Sequence, residues 1–153
     1  MPDGDLTTIH TDQAPAPVGP YPHARRVGPL IFVSGMGPRQ PGTDTIPGGP
    51  IRDRAGQPLD YDVCAQTRAT IENIRTVLVA AGSCLEDVVD VTAFLVDMDR
   101  DFDRFNRTYS ELFGEIRPTR TTVAVRALPT PIAVELKVIA CPGAGSGEPV
   151  RWS

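Results

Sequence analysis

Residues 88–96 read Val-Val-Asp-Val-Thr-Ala-Phe-Leu-Val, and this run constrains the rest of the chain more than any other feature. β-Branched and aromatic residues favour extended backbone, and so few polar positions mean that both faces of the strand are buried. We therefore expect a central strand. Two helix-period patterns flank it and are the natural cover. Val63, Thr67, Ile71, Ile74, Leu78 and Ala81 recur at three- and four-residue steps, with Arg68, Glu72 and Arg75 off that stripe. Asp60 is placed to cap this helix and Gly82 to end it. Ser83 and Glu86 have capping-box spacing for a single turn before the strand. Beyond the strand, Asp99 or Asp101 opens a second helix with Phe102, Phe105, Tyr109, Leu112 and Phe113 on one side, stopped by Gly114 and Pro118.

The first 29 residues carry prolines at 2, 15, 17, 20, 22 and 29, which excludes a continuous helix and predicts an extended arm along the surface. Leu6–Thr11 reads as a short strand and Leu30–Ser34 as a stronger one. Residues 36–58 are rich in proline and glycine, a loop long enough to cover something. Thr119–Leu128 and Ile132–Cys141 are two further strands, and 143–153 reads as a Gly/Pro/Ser-rich tail. The expectation is one domain over 1–142 in the α+β class, a sheet with two helices on one face. In the late strands Arg120, Thr122 and Ala124 alternate with Thr121 and Val123, and Glu135 and Lys137 alternate with Val134, Leu136 and Val138. If the apolar sides meet the helices, Arg120 and Glu135 face water or another subunit, so self-association is predicted.

Composition narrows the chemistry. A formal net charge of −4 offers nucleic acid or an anionic leaflet no overall positive field. Lys137 is the single lysine among 15 Lys and Arg residues, so Schiff-base catalysis has one candidate and arginine is the working cation. Cys64, Cys84 and Cys141 form no metal or disulfide pattern, and His10 and His23 lack ligand spacing. Cys64, Cys84, Cys141 and His23 are read as structural, and no metal is expected. Met1–His10 is acidic and shows no leader pattern, which together with the thiols points to a reducing, cytoplasmic setting.

Gly19-Pro20-Tyr21, Phe32-Val33-Ser34-Gly35, Gln66-Thr67-Arg68, Glu72-Asn73-Ile74 and Phe105-Asn106-Arg107-Thr108-Tyr109 recur in order along the chain. They lead to Pro118-Thr119-Arg120-Thr121-Thr122-Val123-Ala124-Val125, Leu128-Pro129 and Val134-Glu135-Leu136. In that order and spacing they resemble the Rid family of imine and enamine deaminases, also known as YjgF/UK114. The resemblance implies a chorismate-mutase-like homotrimer with clefts between subunits, each hydrolysing a small carboxylate-bearing imine or enamine without cofactor.

It also implies roles. Arg120 matches the arginine that holds the substrate carboxylate, where a planar fork of donors is needed. Glu135 matches the glutamate near the reacting nitrogen and water. Tyr21, Ser34, Gly35, Asn106 and Thr122 match cleft positions, and Thr122 stands where many members have cysteine. Read from the residues alone, Arg120 has a second role open to it, a structural ion pair with Glu135. Asn106 could likewise brace its helix and Tyr21 pack in the arm. Pro22–Gly28, Ile46–Gly49, Asp60-Tyr61-Asp62 and Pro118–Val123 with Ala127–Ile132 look like the 2-aminomuconate deaminase branch. For that dicarboxylate Arg39 is the candidate second cation. The alternatives are a general deaminase of 2-iminopropanoate and 2-iminobutanoate, and a non-catalytic member that binds metabolites.

Overall fold

A computed structural model describes residues 6–147. Its six strands are β1 (Leu6–Ile9), β2 (Ala24–Val27), β3 (Leu30–Val33), β4 (Val88–Leu95), β5 (Thr119–Ala124) and β6 (Val134–Ala140). They form one sheet in the order β1-β2-β3-β6-β4-β5, antiparallel except where β4 runs parallel to β5. Helices α1 (Val63–Ala80) and α2 (Met98–Phe113) cover one face. The α+β expectation, two helices on one face of a mixed sheet, holds. No helix among the described residues is long and apolar enough to cross a membrane.

β4 is central, with Val91, Ala93 and Leu95 fully buried on the helix side, where they meet Val134, Leu136 and Val138 of β6. Helix α1 starts one turn-fragment later than expected: the Asp62 carboxylate, not Asp60, accepts from the amides of Cys64 and Ala65. It ends as predicted at Gly82, whose φ of +79° lets its amide reach Val79 O while Ser83 N reaches Leu78 O. Asp97 caps α2, ahead of the expected Asp99 or Asp101. Ser83 donates its hydroxyl to the Asp87 carboxylate at 2.6 Å instead of closing a capping box. The same carboxylate accepts from the amides of Gly143 and Gly145, so the start of the predicted tail is docked, whereas Trp152 lies outside the described residues.

Two differences matter for function. Ala24–Val27, read as part of an extended surface arm, is a strand that pairs with both β1 and β3. More important, β4 lies between β5 and β6, and Arg120 pairs in register with Val91 and Thr122 with Ala93. Arg120 and Thr122 therefore point to the helix face, while Glu135, in register with Phe94, points to the uncovered face. The expectation that Arg120 and Glu135 share a polar side is corrected, and an ion pair between them within one chain is excluded. The physical reason is that β5 is an edge strand. Where helix α2 approaches it, the rings of Phe105 and Tyr109 lie under the Arg120 guanidinium, which finds room on the helix side.

Candidate active site

The predicted site residues fall into two separate groups. The first gathers around Glu135. A pocket of about 50 Å³ is lined by Tyr21, Ser34, Gly35, Arg39 and Glu135, with Pro15–Val18, His23, Met36, Gly37 and Pro129, Thr130 and Ile132 completing its wall. That volume is small beside the roughly 300–1,000 Å³ of ordinary ligand pockets. The Glu135 carboxyl makes no hydrogen bond or ion pair among the described residues. Burial raises its pKa above the ordinary value and the Lys137 charge opposes the rise. Gly35 makes this arrangement possible, because a Cβ there would lie 2.7 Å from Glu135 Oε2.

Polar residues of α1 hold the surrounding loops. Asn73 donates to the carbonyls of Gly37 and Arg39, each at 2.9 Å. Gln66, fully buried, donates to Gly49 O and accepts from the Ala133 amide, both at 2.8 Å. His23 braces the arm: its Nδ1 accepts from the Thr11 amide and its Nε2 donates to Pro15 O at 2.8 Å. The Ser34 hydroxyl donates to Pro22 O at 2.7 Å, and the Tyr21 hydroxyl accepts from the Val18 amide at 3.2 Å. Arg39 reaches the pocket already engaged, at 2.7 Å from Asp44 and 2.8 Å from Ala16 O. Among the described residues the three cysteines are free thiols, Cys141 buried and the others half-buried.

The second group lies on the other face. The Arg120 guanidinium sits 4.6 Å above the Tyr109 ring centroid and 5.6 Å from that of Phe105. Among the described residues it makes neither an ion pair nor a hydrogen bond. Thr122 shares its face, and its Oγ1 and the Tyr109 hydroxyl are the two buried side-chain polar atoms there without a partner. Asn106 stands one turn before Tyr109 on α2, half-buried, its carboxamide unbonded among the described residues. The hydrophobic stripe of α2 hid Tyr109 from sequence reasoning, because an aromatic at that spacing reads as core.

Arg120 and Thr122 thus lie on the helix side of the sheet beside Tyr109, with Asn106 one turn away on α2, and Tyr21, Ser34, Gly35, Arg39 and Glu135 line the pocket on its other side. A sequence model described as Endoribonuclease L-PSP matches residues 11–141. The chain belongs to this family, the Rid or YjgF family. It is 42% identical over 132 residues to a RutC family protein of Pyrococcus abyssi, covering 86% of this chain and 94% of that one. TdcF of Escherichia coli, named a reactive intermediate deaminase, is 34% identical over 135 residues, covering 86% of this chain and 94% of that one. Its structure with bound serine superposes with a TM-score of 0.76 at 33% identity, covering 90% of this chain and 99% of TdcF. The Escherichia coli YjgF gene product gives 0.75 at 34% identity, covering 88% and 98%.

Proposed function

We propose that this protein is a cofactor-independent deaminase of 2-imino and 2-enamino acids, working in clefts shared by neighbouring copies. The observation that carries the reading is the division of the site. An unpaired guanidinium and an unpaired, partly desolvated carboxyl lie on opposite faces of one sheet, so a substrate can touch both only if each comes from a different copy. The uncovered face suits such packing: Phe32 and Val123 are exposed there, with Phe94 and Ile139 half-buried beside them. A homotrimer is the assembly we infer. The name of TdcF and the serine bound in its structure support an amino-acid-like ligand and deamination.

In this reading Arg120 of one copy grips the substrate carboxylate with two parallel hydrogen bonds. That sets the angle at which water meets the adjacent carbon. An enamine first tautomerises to the imine. Water adds to the protonated C=N carbon, giving a tetrahedral carbinolamine. Glu135 of the next copy takes the proton from the attacking water and returns it to nitrogen. The C–N bond then breaks as the carbinol hydroxyl gives its proton to the Glu135 carboxylate, releasing ammonia and the 2-oxo acid, so one water is consumed per ammonia formed. The raised pKa of Glu135 brings its proton exchange closer to neutral pH, as a group that both accepts and donates requires. The family description contains the word endoribonuclease, but a net charge of −4 gives an RNA backbone no general attraction.

For the substrate we infer 2-aminomuconate, hydrolysed to 2-hydroxymuconate, with Arg39 meeting the second carboxylate. Its exposed partner Asp44 holds Arg39 by an ion pair of a kind worth only about 0–1 kcal/mol, so a substrate carboxylate can displace it. The rival reading, small 2-imino acids, is favoured by that same pairing if it persists on binding. Comparing kcat/KM for freshly generated 2-aminomuconate and 2-iminobutanoate, in wild type and Arg39→Met, decides. We expect the dicarboxylate to be preferred and Arg39→Met to remove the preference; preference for the small imine would overturn the 2-aminomuconate reading. Absence of any turnover, with ligand still bound, would favour a metabolite-binding protein.

A further inference from the structure

The second group holds a feature that the mechanism above leaves unused. Tyr109 is 8% exposed, its ring fixed against Phe113 at 4.8 Å between centroids and against Phe105 at 5.7 Å. That packing explains the ring and leaves the hydroxyl unexplained. A buried hydroxyl without a partner weakens the fold, and native proteins rarely keep one without use. Here two such hydroxyls, on Tyr109 and Thr122, occur beside the same unpaired arginine. Arg120 has only donors to offer, and both hydroxyls have a donor to place. Asp90, the carboxylate within electrostatic reach of Tyr109, is occupied by the Thr119 hydroxyl at 2.6 Å. The hydroxyl oxygens can themselves accept, but what the cluster lacks is a free anionic acceptor to answer the guanidinium and the two hydroxyl protons.

We propose that the Tyr109 hydroxyl is a substrate contact, donating to the carboxylate that Arg120 binds. This rests on the carboxylate-binding role given to Arg120 above. The guanidinium lies across the Tyr109 ring, and a carboxylate that draws it outward opens the approach to the hydroxyl. Burial pushes the Tyr109 pKa up to about 12 against the opposing Arg120 charge, so the phenol keeps its proton and acts as a donor. The carboxylate is the same before and during the reaction, so the contact acts on binding more than on chemistry.

Tyr109→Phe tests this, because it keeps the ring and its stacking and removes only the hydroxyl. Calorimetric titration with the product 2-oxobutanoate, hydrolysis of 2-iminobutanoate, sedimentation and thermal unfolding are read together. We expect Kd and KM to rise about tenfold, kcat to stay within about twofold, and the assembly to keep its size with no loss of thermal midpoint. Unchanged Kd and KM overturn the proposal. So does weaker binding that accompanies dissociation of the assembly, since the hydroxyl would then be an intersubunit contact. The two claims fail separately: wild type that binds 2-oxobutanoate but hydrolyses no imine removes the deaminase reading, and the titration still decides Tyr109.

Discussion

Among the described residues two arginine–tyrosine stacks involve helix α2, and they differ in how their polar groups are paired. Arg100 lies 3.6 Å over the Tyr61 ring, is paired with Asp60 at 2.7 Å and donates to Tyr61 O at 3.0 Å. The Tyr61 hydroxyl donates to Asp101 at 2.6 Å, so every polar group in this stack has a partner. Arg120 over Tyr109 has none among the described residues. The closed stack fastens the segment before α1 to α2, and the open one, in the function proposed above, takes an anion. An arginine over an aromatic ring is therefore no sign of function by itself; what distinguishes the site is the set of donors left without acceptors.

Substitutions should separate the two stacks. Arg120→Ala is expected to lower kcat/KM at least about a thousandfold, by loss of carboxylate binding and orientation, with the thermal midpoint within a few degrees of wild type. Collapse of the fold with unchanged specific activity would make Arg120 structural. Glu135→Gln should lower kcat about a hundredfold or more, in the range of general acid–base catalysis, and leave 2-oxobutanoate binding nearly intact. Gly35→Ala should follow it, because the added methyl displaces the Glu135 carboxyl. In the closed stack, Tyr61→Phe leaves the buried Asp101 without its donor and should cost about 1–3 kcal/mol of stability, seen as a lower denaturation midpoint at unchanged turnover.

The smallest effect is in pH dependence. Burial raises the Glu135 pKa in the folded chain, so the folded state binds protons more tightly there than the unfolded one. Its contribution to stability is present below the ordinary value of 4.5 and is lost as pH rises through the folded value. Glu135→Gln should accordingly unfold at a higher temperature than wild type at pH 7 and lose that advantage below pH 4.5. Lower activity with higher stability in one variant marks a residue kept for its chemistry.

Much of this architecture is legible in the sequence. The stripes of α1 and α2 and the apolar run of β4 fix a two-layer fold, and the alternation in β6 shows that one sheet face lacks a cover. β2 is not legible because the adjacent Arg25 and Arg26 break any apolar alternation, and what makes it a strand is its pairing with β1 and, across the Gly28-Pro29 turn, with β3, an override of local propensity by pairing. The side of the sheet that Arg120 takes is hidden for a related reason. β5 carries polar residues on both sides, so its pattern cannot assign a face, and only its register against Val91 does. Motif resemblance brought the site residues together as one set, whereas the topology divides them into two.

That division is the central claim, and subunit complementation tests it directly. Arg120→Ala and Glu135→Gln proteins, each inactive, are mixed under conditions that exchange subunits. If each cleft takes its arginine from one copy and its glutamate from the next, the mixture regains about a quarter of wild-type activity, since both partners of a site must be of the right kind. Activity no greater than the sum of the two variants, with exchange verified, would contradict the shared site.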